Sequence, residues 1–194
     1  MPNPAYFNLP PEKKQLIRLA VYNEYTSKPF EKVTTRSLIK RTDIAMGSWY
    51  QYFENKDEIY LYHICELRNR NLRKLEKYNL FLFEDGRLKI EDSLTPFETQ
   101  FYETIYDAPD DILRQYYFNQ YTPELREKAE NSVEKLKEYK LLASSVDTAF
   151  AAYYLYTSMF NLVVYCRNNG IKDDAVQQKL VRQQYEILFN SLRP

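Results

Sequence analysis

Three glycines are all that the 194 residues of this chain contain. Sheet-rich folds and loops that cradle phosphates usually need more turns, and glycine adopts turn conformations most easily. The scarcity of glycine therefore favours helices. Hydrophobic residues make up 44% of the chain and charged residues 28%, so we expect a packed core rather than disorder.

Helix start signals recur along the chain. Thr95 is followed by Pro96 and Glu98, which places an N-cap, a first-turn proline and a third-position glutamate in order. Asn55 and Glu58 repeat the cap and the glutamate. Further caps are predicted at Thr34, Thr122, Asp147 and Asp173. Together with apolar residues spaced by three and four, these signals predict an all-α chain of about nine helices.

The apolar spacing and the caps in residues 11–60 predict three helices and the start of a long fourth one. Two short helices joined by a tight turn and braced by a preceding helix form a helix–turn–helix, whose second helix enters the major groove of DNA. This geometry needs small residues where that helix meets the bases, and Ala45, Gly47 and Ser48 provide them. The candidates for apolar anchors behind the helix are Ile44, Trp49, Tyr52 and Phe53.

The charge distribution also favours an anion-binding N-terminal part. Residues 11–56 hold nine Lys or Arg against five Asp or Glu, whereas the rest of the chain holds 18 against 22. The total formal charge of zero thus conceals a basic region and an acidic remainder. This asymmetry is expected of a head that binds an anion and a body that does not.

The stretch TTRSLIKRTDIAMGSWYQYFENKDEIY, residues 34–60, resembles the DNA-binding segment of the tetracycline-repressor (TetR) family of transcriptional regulators. The matching elements are Thr34, Arg36, the small-residue start at 45–48, the aromatic block at 50–53 and the segment 56–59. The resemblance implies a homodimer with a three-helix helix–turn–helix head, residues 1–55. It also implies an all-helical body for ligand binding and dimerisation, residues 56–194.

Carried over position by position, the resemblance implies DNA contacts at Thr35, Arg36, Met46, Gly47, Ser48, Tyr50 and Lys56. Gln51 adds a polar group on the outward face of the same helix. Met46 and Gly47 cannot form bidentate contacts with a base. We therefore expect a DNA site that is recognised partly through thymine methyl groups and DNA shape.

Several positions depart from the family pattern. Asp43 replaces a turn glycine, Ile39 replaces an alanine and Trp49 replaces a smaller aliphatic residue. Asp tolerates the left-handed conformation better than most other residues, so the turn can survive. We expect a repacked head that keeps the motif.

The predicted body is rich in aromatic residues, in a region where family members bind a small inducer. Such residues suit an apolar or aromatic ligand held by a few hydroxyls, but they equally suit a filled core, and both interpretations stay open. The candidate pocket residues are Phe101, Tyr102, Ile105, Tyr117, Tyr121, Tyr153, Thr157 and Asn161. Thr157 and Asn161 lie in an otherwise apolar helix, so each needs a hydrogen-bond partner from a ligand or across a dimer axis.

Residues 148–166 contain no charged side chain. Their length would allow a membrane span, but four Tyr, two Thr, a Ser and an Asn are too many polar groups for hydrocarbon. A helix that is apolar on nearly all sides is instead buried between its own body and a partner. With the amphipathic last helix it predicts a homodimer through the last two helices, arranged around a two-fold axis.

Catalysis is not expected. The single histidine, His63, has no nucleophile pattern beside it, and Cys65 and Cys166 match no metal-ligand spacing. We expect neither a cofactor nor a metal, and the free thiols and the lack of a signal peptide favour the cytoplasm. Two functions remain as hypotheses. One is a ligand-responsive repressor that binds a palindromic operator as a homodimer; the other is an architectural or protein-interaction helix–turn–helix protein without a small-molecule effector.

Overall fold

The structure, a computed structural model, describes residues 1–42, 44–77, 94–119 and 123–192. These residues form ten α-helices and no strand, so the all-α prediction is confirmed. The helices are α1 (Pro4–Phe7), α2 (Pro11–Ser27), α3 (Thr35–Thr42), α4 (Met46–Tyr52), α5 (Lys56–Lys77), α6 (Pro96–Glu103), α7 (Asp110–Arg114), α8 (Pro123–Glu138), α9 (Thr148–Asn168) and α10 (Asp174–Leu192). Short 3₁₀ turns at Phe30–Lys32 and Thr104–Asp107 and a π-helical turn at Gln115–Asn119 complete the described elements.

The helix that the sequence does not predict is α1. It has only four residues, which is too short for a periodic apolar pattern to be recognised. Pro4 occupies its first turn, where a missing N–H costs nothing because the first amides of a helix have no partner inside it.

Two compact units divide the chain: Met1–Lys74 with Lys89–Leu113, and Leu75–Leu88 with Arg114–Pro194. The first unit contains α1 to α4, most of α5, and α6. The second contains α8 to α10. The predicted boundary at residue 55 concerns function rather than packing and stays a prediction.

Aromatic side chains fill the interior of the first unit. Tyr22 of α2 stacks on Phe101 of α6 with ring centroids 4.1 Å apart, and Tyr25 of α2 packs on Tyr60 of α5 at 4.5 Å. All four side chains are buried. They join α2, α5 and α6 in one aromatic core. α3 packs on α2, and its Leu38 is fully buried.

Side-chain caps begin the helices where the sequence predicts them. The Thr95 hydroxyl accepts a hydrogen bond from the Glu98 N–H at 3.3 Å, and the Glu98 carboxylate accepts one from the Thr95 N–H at 2.9 Å. Asn55 Oδ1 accepts from the Glu58 N–H at 2.8 Å. The side chains of Thr34, Asp147 and Asp173 likewise accept a backbone N–H in the first turns of α3, α9 and α10. These predictions are confirmed, and Thr122 lies outside the described residues.

In the second unit α8 packs along α9. The core cluster between them consists of Val133, Leu136, Leu142, Ala151 and Ala152. α9 ends where Gly170 adopts φ +63° and the Ile171 N–H donates to the Cys166 carbonyl at 2.9 Å. Glycine takes up this left-handed conformation without a Cβ clash, which is why the helix stops there. No helix in the described ranges has both the length and the apolarity needed to cross a membrane.

Candidate nucleic-acid interface

α4 has an anchored side and an open side. Trp49 and, just after the helix, Phe53 are fully buried, and their ring centroids are 4.9 Å apart. Met46 and Tyr50, one turn apart, are 48% and 54% exposed. Gln51 is also exposed. The helix is therefore fixed from behind by large rings, while its outer side is available to another molecule.

The first turn of α4 has little bulk. Gly47 is exposed, and a Cβ placed on it would meet no atom within 4 Å. Ser48 beside it is half-buried. The backbone of α4 can therefore approach another molecule closely at this point, as the sequence pattern predicts.

α3 is the first helix of the helix–turn–helix, and its N-terminus is capped by side chains. Thr34 and Ser37 exchange hydrogen bonds, with the Ser37 N–H donating to the Thr34 hydroxyl at 3.1 Å and the Thr34 N–H donating to the Ser37 hydroxyl at 3.2 Å. Behind this cap Thr35 is half-buried and Arg36 is exposed. The turn between α3 and α4 contains Asp43, which lies outside the described residues.

Lys56 begins α5 and is held in place by neutral groups. Its Nζ donates to the Phe30 carbonyl at 3.0 Å and lies 4.4 Å from the centroid of the Phe30 ring. The Tyr25 hydroxyl donates to the Lys56 carbonyl at 2.8 Å, and the nearest carboxylate oxygen, on Asp57, is 3.9 Å from Nζ. The carbonyl and the ring orient the ammonium without removing its charge.

A buried carboxylate, Glu24, joins α2 to α3. It accepts a hydrogen bond from Arg41 Nε at 2.5 Å and forms an ion pair with Lys28. Burial alone would raise the pKa of Glu24, but hydrogen bonds from Lys28, Arg41 and Ser37 outweigh it and lower the pKa below its ordinary value. These residues and Lys40 line an open cleft. The Glu24–Arg41 ion pair links α3 to α2, whereas Lys28 lies at the end of α2 itself.

Neither the role of this carboxylate nor the N-terminal helix α1 is predicted from the sequence. Glu24 and Lys28 are four residues apart on one helix, a spacing that favours an ion pair and could have indicated the first contact. The pair Asn3-Pro4 is a helix start signal that could have indicated the second.

The predicted pocket residues are divided between the two units. Phe101 and Ile105 are fully buried in the first unit, where Phe101 stacks on Tyr22, and Tyr102 is half-buried. Tyr117 is buried in the second unit, with its ring centroid 6.2 Å from that of Phe160. Tyr121 lies outside the described residues.

The three pocket candidates on α9 differ in their surroundings. The Thr157 hydroxyl is buried and donates to the Tyr153 carbonyl of its own helix at 2.8 Å. Tyr153 and Asn161 are exposed. The hydrogen-bond partner that Thr157 needs is therefore supplied within the helix.

α9 and α10 expose large apolar side chains. Those that are exposed by at least two fifths are Phe150, Tyr153, Tyr154, Tyr165, Val176 and Ile187. The rings of Phe150 and Tyr154 stack on each other with centroids 6.0 Å apart. Exposed apolar patches on a folded protein often mark a surface that another protein covers.

Neither a protein-family model nor a curated protein matches the chain, but solved structures do. A protein studied for the control of antibiotic production by bacterial hormones has a TM-score of 0.55 at 17% identity, covering 96% of this chain and 100% of that chain. The fatty acid degradation regulator FadR from Bacillus halodurans has a TM-score of 0.52 at 17% identity, covering 96% and 98%. A protein described as a TetR-family transcriptional regulator, from Syntrophomonas wolfei, has a TM-score of 0.51 at 12% identity, covering 92% and 95%. At these identities the likeness shows that the fold is shared.

Proposed function

We propose that this chain, which has the fold of the TetR-family regulators, is itself a DNA-binding transcriptional regulator of that family. The observation that carries the proposal is the arrangement of α4. Trp49 anchors the helix in the core, Met46 and Tyr50 are exposed, and Gly47 leaves its first turn open. A short helix of this kind, packed against α1 and α3, is suited to enter the major groove.

Two side chains hold the DNA backbone in this proposal. The Tyr50 hydroxyl and the Lys56 ammonium bind phosphate oxygens, which sets the position of α4 along the duplex. Lys56 is already oriented by the Phe30 carbonyl and ring, so less side-chain freedom is lost when it meets a phosphate.

The bases are contacted from the first turn of α3 and from α4. Thr35, Arg36, Ser48 and Gln51 have groups that can hydrogen-bond to base edges, and Met46 offers an apolar contact to a thymine methyl group. The exposed Gly47 lets the backbone come close. Because few of these groups form bidentate contacts, DNA shape contributes to recognition.

A second copy of the chain covers the apolar side of α9 and α10. The exposed rings of Phe150 and Tyr154 and the exposed Ile187 support this part of the proposal. A homodimer with two-fold symmetry binds a palindromic operator, whose half-sites are about 34–36 Å apart when they are separated by one helical turn. The regulator acts in the cytoplasm, where the operator DNA is.

In the leading form of the proposal the protein is a repressor that a small apolar or aromatic ligand releases from DNA. Such a ligand acts by binding more tightly to a dimer whose heads no longer match two successive major grooves. The second candidate, a helix–turn–helix protein without an effector, is favoured by one observation. Phe101 and Ile105, two of the pocket candidates, are already part of a filled core.

Binding-site selection from random duplexes, followed by titration of the selected DNA, tests the proposal. Tyr50→Phe and Lys56→Ala should weaken binding, and Lys56→Ala should reduce the slope of log affinity against log salt concentration by about one. Lys172→Ala, which removes an exposed lysine between α9 and α10, is the matched control and should leave the slope unchanged.

Three results would contradict the proposal. The selection could return no sequence, or Lys172→Ala could flatten the salt dependence as much as Lys56→Ala does. A selected site with a G-rich core and strong penalties at single bases would contradict the proposed mode of base recognition. For the effector, a compound screen that reads release of the selected DNA separates the two candidates.

A further inference from the structure

An N-terminal segment, residues 1–10, packs on the end of α4. The Asn3 N–H donates to the carbonyl of Tyr52, the last residue of α4, at 2.9 Å. The last carbonyls of a helix have no partner within it, so this bond satisfies one of them from outside. It also ties the C-terminal end of α4 to a part of the chain that is far away in sequence.

Tyr6 of α1 also packs against the C-terminal end of α4. Its side chain is 3% exposed, and its ring centroid lies 4.9 Å from that of Phe53 and 5.5 Å from that of Tyr62 on α5. Phe53 in turn packs on Trp49 of α4 at 4.9 Å. An unbroken row of rings therefore runs from α1 to the anchored side of α4.

The segment is itself fixed at its far end. Lys14 of α2 donates from Nζ to the Phe7 carbonyl at 2.6 Å, and the Phe7 ring contacts the Tyr62 ring at 6.0 Å. α1 thus lies between α2 and α5 on one side and the end of α4 on the other.

We propose that residues 3–7 are a positioning element for the DNA-contacting helix, and that Asn3 and Tyr6 are its positioning residues. The inference rests on the proposed function, because it takes α4 as the helix that enters the groove. Neither residue needs to touch DNA. They fix the direction in which α4 projects, and direct contacts to base edges tolerate much less misplacement than the charge attraction to phosphates does. The segment therefore contributes to selectivity more than to general DNA affinity.

A matched pair of substitutions at one position tests the hydrogen bond. Asn3 already has φ −61°, the angle that a proline ring imposes, so Asn3→Pro removes the N–H donor with little change in the backbone. Asn3→Ala keeps the donor. We expect Asn3→Pro to lower the affinity for the selected DNA by about fivefold, the central value for one hydrogen bond. Its affinity for a scrambled duplex should stay within about twofold, and Asn3→Ala should behave as the wild type.

Tyr6 provides a second pair. Tyr6→Ala removes the ring and should lower the affinity for the selected DNA by more than about tenfold, whereas Tyr6→Phe keeps the ring contacts and should restore it. Hydrogen exchange of the amides of residues 49–53 should be faster in Asn3→Pro and Tyr6→Ala than in the wild type. If Tyr6→Ala does not fold, as judged by circular dichroism, the Asn3 pair decides the outcome alone.

The inference is overturned if Asn3→Pro and Asn3→Ala bind the selected DNA equally well, or if Asn3→Pro weakens both duplexes by the same factor. Failure of the proposed function looks different. In that case the wild type selects no DNA sequence at all, and hydrogen exchange at residues 49–53 still shows whether the segment fixes α4. Unchanged hydrogen exchange in Asn3→Pro shows that residues 3–7 are not a positioning element, whatever the DNA result.

Discussion

Several tyrosines of the first unit are buried in its core, whereas several tyrosines of α9 lie on the surface of the second unit. Tyr22, Tyr25 and Tyr60 are less than 5% exposed and meet the rings of other helices. Tyr153 and Tyr154 are 43% and 48% exposed. Tyrosine thus fills the core of the first unit, whereas on the second unit it forms part of an exposed apolar surface.

This difference indicates which unit is complete by itself. Burial raises the pKa of Tyr22, Tyr25 and Tyr60 above the ordinary range of tyrosine, because a charged phenolate is disfavoured away from water. Their aromatic area is already removed from water within the unit. The aromatic area of α9 still has to be covered, and in our proposal a second copy of the chain covers it. The four predictions below test this contrast.

The largest effect is expected from Phe101→Ala in the first unit. The ring is fully buried and stacks on Tyr22, so its removal leaves a cavity that should lower the free energy of unfolding by about 3–5 kcal/mol. Urea denaturation followed by the fluorescence of Trp49, the single tryptophan, measures this in the unit concerned. Tyr139→Ala, at a side chain that is 70% exposed, is the control and should change it by less than about 0.5 kcal/mol. Equal effects of the two substitutions would contradict a core role for Phe101.

Tyr154→Arg should show the opposite behaviour, with a large effect on association and a small one on folding. A charge placed in the apolar face should weaken the proposed dimer at least about 100-fold, or about 2.7 kcal/mol. Sedimentation equilibrium gives the dimer dissociation constant, and Tyr139→Arg is the control for the same change outside α9 and α10. A Tyr154→Arg protein that stays as dimeric as the wild type would place the interface elsewhere.

The contrast between the units also shows what could be predicted from the sequence. The caps at Thr95 and Asp147 depend on residues three positions apart, and the anchor of α4 consists of two apolar residues four positions apart, Trp49 and Phe53. Local patterns of this kind are present in the sequence itself. The four-residue α1 has only the start signal Asn3-Pro4 and is too short for a periodic apolar pattern, so the sequence does not predict it.

Contacts between distant residues were harder to predict. Phe101 fits an aromatic pocket by composition, yet the structure stacks it on Tyr22, a partner that only the packing of α6 on α2 brings near. The pairing of Glu24 with Arg41 depends in the same way on how α3 lies on α2. Whether the remaining pocket candidates surround a ligand stays a prediction, as do the DNA contacts.

Glu24→Gln should have an intermediate effect. The change leaves Arg41 and Lys28 without their carboxylate, and since both cations are partly exposed we expect a loss of about 1–2 kcal/mol rather than the larger cost of a fully buried pair. Glu134→Gln in the second unit removes an exposed partner of Lys137 and should leave the free energy of unfolding unchanged. If both substitutions change the free energy of unfolding equally, burial does not explain the contribution of the Glu24 ion pairs to stability.

The smallest effect concerns the pH dependence of stability, and it is expected in the first unit, which contains the only histidine of the chain. His63, the single histidine of the chain, is buried in the first unit, with Nδ1 3.2 Å from a carboxylate oxygen of Glu66. Burial lowers the pKa of His63 below its ordinary value, and Glu66 opposes the shift without cancelling it. Below pH 6.5 the unfolded chain therefore binds a proton that the folded chain does not, and stability falls as the pH falls. With an unfolded pKa of about 6.5, the loss between pH 7.5 and pH 5.5 is at most about 1.4 kcal/mol.

Urea denaturation at pH 7.5, 6.5 and 5.5, followed by Trp49 fluorescence, measures this loss in the first unit. His63→Phe removes the titrating group but keeps a ring next to Tyr22 and Tyr62, so its stability should vary less over the same range. The two proteins should therefore differ more in their pH profiles than in their stability at pH 7.5. If the wild type and His63→Phe lose stability in parallel as the pH falls, the loss comes from other groups, and the buried histidine does not set the acid sensitivity of the unit.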